Sequence, residues 1–89
     1  MEIKIRVFGK VQNVWFRASA AEIARDLNLK GFAKNLADGS VELVASGGKI
    51  ELEKFKKWCE IGPSGAAVER VEEKWDENAS GKFEGFAIL

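Results

Sequence analysis

From Glu2 to Phe8 the chain alternates, with Ile3, Ile5 and Val7 on one side and Glu2, Lys4 and Arg6 on the other. A period of two predicts a strand with one buried face. From Phe16 the period changes: Phe16, Ala20, Ile23, Ala24 and Leu27 form a helical stripe in a segment rich in Ala, Glu and Arg, which predicts a helix to about Asn28. Lys30 to Asn35 and Ser40 to Ser46 then flank Leu36-Ala37-Asp38-Gly39. Asp-Gly between two strand-like runs predicts a hairpin, because glycine tolerates positive φ, so these two strands are antiparallel neighbours.

Gly47-Gly48 interrupts the pattern, after which Ile50 or Leu52, Phe55, and Trp58 or Cys59 recur at helical spacing among Lys and Glu. This second helix is expected to end near Gly62-Pro63, where proline stops it. Val68, Val71 and Trp75 lie in one β-prone stretch, and Phe83, Phe86, Ile88 and Leu89 in another beyond the turn-like Asn78-Ala79-Ser80-Gly81. The order strand, helix, strand, strand, helix, strand predicts an α+β, ferredoxin-like split βαβ sandwich. In it, an antiparallel sheet carries two helices on one face. No repeat or linker divides residues 1–89, so one domain is expected.

Composition narrows the chemistry. Fourteen basic and fourteen acidic residues cancel, which offers no basic field for a nucleic-acid backbone. The first residues mix charge with apolar side chains, unlike a signal peptide, and no later run is long enough to span a membrane. The expectation is a cytoplasmic monomer that acts on a small molecule, with neither nucleic acid nor membrane as partner. Cys59 is the single cysteine and histidine is absent. Serine–histidine triads, cysteine–histidine nucleophiles, histidine general bases and the common zinc sites therefore fall away. Arg, Lys, Asn, carboxylates, hydroxyls and backbone amides remain, and neither metal nor cofactor is expected.

Gly9-Lys10-Val11-Gln12-Asn13-Val14-Trp15-Phe16-Arg17 joins the strand pattern to the helix pattern and ends on an arginine. Such a junction can aim several backbone N–H groups one way at a helix start, where an anion is favoured. The guanidinium of Arg17 adds a permanently charged planar fork matched to phosphate or carboxylate. Gly9 either ends the first strand or lets backbone approach the anion closely.

The pattern Gly9-x-Val11-Gln12-x-Val14-x-Phe16-Arg17, followed by Gly31-Phe32-Ala33-Lys34-Asn35-x-x-Asp38-Gly39-x-Val41-Glu42 and then Gly62-Pro63-x-x-Ala66-x-Val68, closely resembles the acylphosphatase family. The motifs span nearly the whole chain in the family's order. The resemblance implies the ferredoxin-like fold and hydrolysis of the carboxyl–phosphate bond of acyl phosphates without a metal. It further implies that Arg17 and the backbone amides of the loop, from Lys10 through Val11, Gln12, Asn13, Val14, Trp15 and Phe16, hold the phosphoryl oxygens. Asn35 would position the attacking water. An acyl phosphate already carries a good leaving group, so positioning and electrostatic stabilisation can supply most of the acceleration.

One departure stands in the loop, where the family usually has glycine and this chain has Asn13. Asparagine is the non-glycine residue that most readily accepts a left-handed backbone, so Asn13 is expected to keep the loop's shape at a cost of about 1 kcal/mol. Trp15 is expected to pack or to sit at the rim. Two functions follow: an acyl phosphate hydrolase, or an anion-binding regulatory module that lost turnover through Asn13. An RNA-recognition domain of the same topology ranks last, because the first strand shows Glu2, Lys4 and Arg6 on the side opposite its apolar face. Cys59, Trp58, Trp75 and the phenylalanines read as core or core edge. Lys54, Lys56 and Lys57 with Glu51 and Glu53 read as a charged helix face. Glu69, Glu72 and Glu73 read as solvent-side residues.

Overall fold

A computed structural model describes residues 1–79 and 82–89. The elements are β1 (Glu2–Lys10), α1 (Phe16–Asp26), β2 (Lys30–Asn35), β3 (Val41–Ser46), α2 (Lys49–Ile61), β4 (Ala67–Asp76) and β5 (Phe86–Ile88). The Ser80-Gly81 half of the expected turn after β4 lies outside the described residues.

The strands form one sheet in the order β4-β1-β3-β2-β5. The alternation in β1 does what its period requires: Ile3, Ile5 and Val7 are fully buried beneath the helices. α1 contributes Phe16, Ala20, Ala21 and Ala24 to the core, and α2 contributes Leu52, Phe55 and Cys59. Of the two candidates at the start of α2, Leu52 faces inward and Ile50 is exposed. Phe16 meets Trp58 with ring centroids 5.3 Å apart, and this contact ties the first turn of α1 to α2.

Four strands are antiparallel, and β5 adds to the edge of β2 in parallel, making the sheet mixed. β5 is only three residues long and carries no readable period of its own. Backbone and arginine contacts hold it in place. Gly31 N–H donates to the Gly85 carbonyl and Leu89 N–H to the Ala33 carbonyl. Arg25 and Arg17, at opposite ends of α1, donate to the carbonyls of Phe86 and Leu89 at 2.8 and 2.6 Å.

β1 and β2 are both antiparallel to β3, which lies between them, so they run in the same direction. Val7 and Asn35 both pair with Val41. The loop that leaves β1 and the last residue of β2 therefore lie at one end of the sheet, whatever the distance between them in sequence.

Gly9 lies inside β1 and does not end it. The pairing with β4 jumps from Phe8–Arg70 to Gly9–Val68 and leaves Glu69 without an opposite number. At this bulge Gly9 has φ 123, and a Cβ there would fall 2.2 Å from the Ala67 carbonyl oxygen. The close backbone approach that Gly9 makes is to a neighbouring strand.

Candidate active site

The loop between β1 and α1 owes its shape to two side-chain-bearing residues with positive φ, Asn13 (61°) and Trp15 (63°). Asn13 takes the left-handed backbone that asparagine tolerates. Trp15 does so without that chemistry, and no sequence rule pointed to it. Gln12 and Val14 stay outside the positive-φ region, so the backbone alternates in hand. Alternation of this kind forms a concavity of N–H groups suited to an anion. Trp15 also caps α1, where no side chain caps the helix and no acidic residue occupies the first turn. The first N–H groups of the helix are thereby left to an external partner, and nothing opposes the positive end of its dipole.

A cleft of about 480 Å³ opens at this end of the sheet. The loop supplies Val11, Asn13 and Trp15, and the start of α1 supplies Phe16, Arg17 and Ala18. Asn35 and Ile88 complete it from the ends of β2 and β5. Arg17 is the only charged residue among these. Arg17 and Asn35 are both half-buried. The bond from Arg17 to the Leu89 carbonyl fixes the guanidinium while using one edge of its fork. Phe16 holds the backbone behind it in the core.

Three of the loop residues named from sequence do not line the cleft. Lys10 is exposed at the end of β1, and Val14 packs against the core. Gln12 turns its side chain to the hairpin, donating Nε2 to the carbonyls of Leu36 and Ser40 at 2.8 and 3.0 Å. That side chain therefore braces the loop against the segment that follows Asn35.

A second brace was not visible in the sequence. Arg6 on β1 donates Nη2 to Asp38 Oδ2 at 2.6 Å and Nε to Ser40 Oγ at 3.1 Å. Asp38 Oδ1 accepts from both the hydroxyl and the backbone N–H of Ser40. The Ser40 hydroxyl first, then its backbone N–H, and then the Arg6 charge hold the Asp38 carboxyl below its ordinary range. The turn itself closes through Gly39 N–H to the Leu36 carbonyl, with Gly39 at φ 91, so Asp-Gly serves the geometry expected of it. Cys59 is buried in the core on α2 and does not line the cleft, and burial pushes its thiol up. Among the described residues no group of three His, Cys, Asp or Glu side chains clusters as a metal site.

Comparison with known proteins matches the sequence to a family: the acylphosphatase profile covers residues 3–88. The chain belongs to the acylphosphatase family. A curated acylphosphatase from Chloroflexus aurantiacus is 44% identical over 89 residues, covering 98% of this chain and 96% of that one. Solved acylphosphatases agree in fold. The structure from Coxiella burnetii superposes with a TM-score of 0.90 at 38% identity, covering 99% of this chain and 90% of the other. That from Bacillus subtilis gives 0.93 at 28% identity, with 99% and 97% covered. As in the family pattern, the acylphosphatase loop of this chain runs directly into a helix whose second residue is arginine. No helix among the described residues is long and apolar enough to cross a membrane.

Proposed function

We infer that the cleft is an active site in which Arg17 and the loop amides bind the phosphoryl group of an acyl phosphate while Asn35 places the attacking water. Membership of the acylphosphatase family over nearly the whole chain supports hydrolysis of the carboxyl–phosphate bond as the reaction. The observation that carries the residue roles is the meeting of Arg17, Asn35 and the alternating-handed loop in one cleft.

In this reaction the water oxygen forms a bond to phosphorus as the bond from phosphorus to the acyl oxygen breaks. The electron pair leaves with the carboxylate, and the two protons of the water stay with the inorganic phosphate that forms. A carboxylic acid ionises near pH ~4, so the leaving group departs without a proton at neutral pH. The site then needs no general acid, which fits a chain without histidine. Developing charge on the phosphoryl oxygens meets the Arg17 fork, the loop N–H groups and the start of α1. The amide of Asn35 has an acceptor oxygen and two N–H donors but no titratable proton, and so can orient water without abstracting its proton outright. Metal independence, a cytoplasmic setting and a monomer acting on a small molecule complete the proposal. The balanced charge and the lack of a basic field also argue against a nucleic-acid partner.

The test is release of inorganic phosphate from acetyl phosphate in the presence of a metal chelator, with Arg17→Ala and Asn35→Ala alongside. Turnover that both substitutions remove supports the assignment. The regulatory reading predicts instead phosphate binding without turnover, and activity that appears on Asn13→Gly. The left-handed backbone already held by Asn13 favours the hydrolase.

A further inference from the structure

The cleft has two kinds of wall. Arg17 and Asn35 are its polar part, and Trp15 and Ile88 offer an apolar part. Trp15 is 81% exposed, although it is the largest side chain in the loop. A left-handed backbone holds it there, a conformation disfavoured for a bulky residue. Strain of this sort persists where the surroundings impose it, and it gathers at ligand sites. Facing the cleft from β5, Ile88 is 46% exposed and is set in place by the bonds of Arg17 to Leu89 and of Leu89 to Ala33.

Resting on the assignment of the phosphoryl group to Arg17 and Asn35, we propose that Trp15 and Ile88 form the acyl subsite, and that the chain favours acyl phosphates with an uncharged apolar acyl group, aromatic ones above all. The scissile bond joins the phosphoryl group directly to the acyl carbonyl, so the acyl group must lie against the cleft walls nearest Arg17. Trp15 stands two residues before Arg17, at the cap of the same helix. An indole face covered by an acyl ring leaves water and gains stacking, while a methyl group covers little of it. Charge points the same way. Among the described residues Arg17 is the only charged one lining the cleft, so a second phosphate or carboxylate on the acyl chain would find no cationic partner among them.

The readout is the ratio of kcat/KM for benzoyl phosphate to that for acetyl phosphate, in which any general damage to the loop cancels. The unaltered protein is expected to favour benzoyl phosphate by about tenfold, the size of a good aromatic contact. Trp15→Asn, chosen because asparagine accepts positive φ, should remove most of that preference. Trp15→Phe should retain most of it, and Ile88→Ser should lower it. An unchanged ratio in Trp15→Asn, or a preference for succinyl phosphate over benzoyl phosphate in the unaltered protein, overturns the subsite. Calorimetric binding of the non-hydrolysable benzoylphosphonate separates the two assignments. If neither acyl phosphate turns over yet Trp15→Asn weakens benzoylphosphonate about tenfold, the subsite stands and the hydrolytic assignment falls. If both are hydrolysed at a ratio indifferent to Trp15, the hydrolytic assignment stands and the subsite falls.

Discussion

Arg17, in the first turn of α1, and Asn35, the last residue of β2, line the same cleft. If the roles divide as proposed, their losses differ in kind. Arg17→Ala should lower kcat/KM for acetyl phosphate by about 10³-fold and abolish competitive inhibition by inorganic phosphate, since the charge meets the phosphoryl group in ground and transition states alike. Arg17→Lys should recover only part, because an ammonium cannot reproduce the fork. Asn35→Ala should lower kcat by about 10²-fold while phosphate inhibition persists, as expected of a group that orients water. Steady-state kinetics with phosphate as inhibitor checks both, and equal loss of phosphate affinity in the two variants would contradict the division.

Gln12 sets the second prediction. Its Nε2 donates to two carbonyls of the hairpin, which makes the loop and the end of β2 one unit. Gln12→Ala should cost about 1–2 kcal/mol in urea unfolding and lower kcat more than it weakens phosphate binding. Gln12→Glu should be worse than alanine on both counts, because it turns a carboxylate oxygen toward two carbonyl oxygens.

Asp38 makes stability depend on acid. Its carboxyl titrates below the ordinary range in the folded chain, so the unfolded chain binds its proton first as the pH falls. The contribution is complete above the ordinary carboxylate range and is lost as the pH drops through the lowered folded value. Thermal melts of the unaltered protein and Asp38→Asn should differ by a constant amount from neutrality to about pH 5. The gap should then close on further acidification. A gap that widens in acid would reverse the sign of the shift.

Gly9→Ala should be among the costlier small substitutions. It forces φ 123 on a residue with a Cβ and drives that atom onto the Ala67 carbonyl. A loss of about 3 kcal/mol in chemical unfolding is expected. A loss below about 0.5 kcal/mol, the range of ordinary surface changes, would mean the bulge yields easily.

Features with a local physical signature were legible in the sequence. Alternation marked β1 because Ile3, Ile5 and Val7 need one face, and the apolar stripe marked α1. The left-handed backbone of Asn13 was legible because the residue stands where the family usually has glycine and asparagine accepts that conformation. Arg17 and Asn35 were found through the family pattern, while the strand directions that bring them to one end of the sheet needed pairing information no single segment holds. Trp15 gave no hint of positive φ, because the loop as a whole imposes it. The parallel pairing of β5 depends on contacts from Arg17, Arg25 and Gly31. The Arg6–Asp38–Ser40 brace likewise joins residues that are far apart in sequence, and Gly9 showed its reason only beside Ala67.

A cleft with one cation, set in a molecule whose charges cancel, also fixes how it meets its substrate. The field of Arg17 fades within about a Debye length, ~8 Å at physiological ionic strength, and a chain whose charges cancel adds no net attraction from farther away. Encounter is then left to undirected diffusion, and recognition begins only at contact. The apparent second-order rate constant for an acyl phosphate should change by less than about twofold between low and physiological salt, where an electrostatically steered enzyme slows steeply.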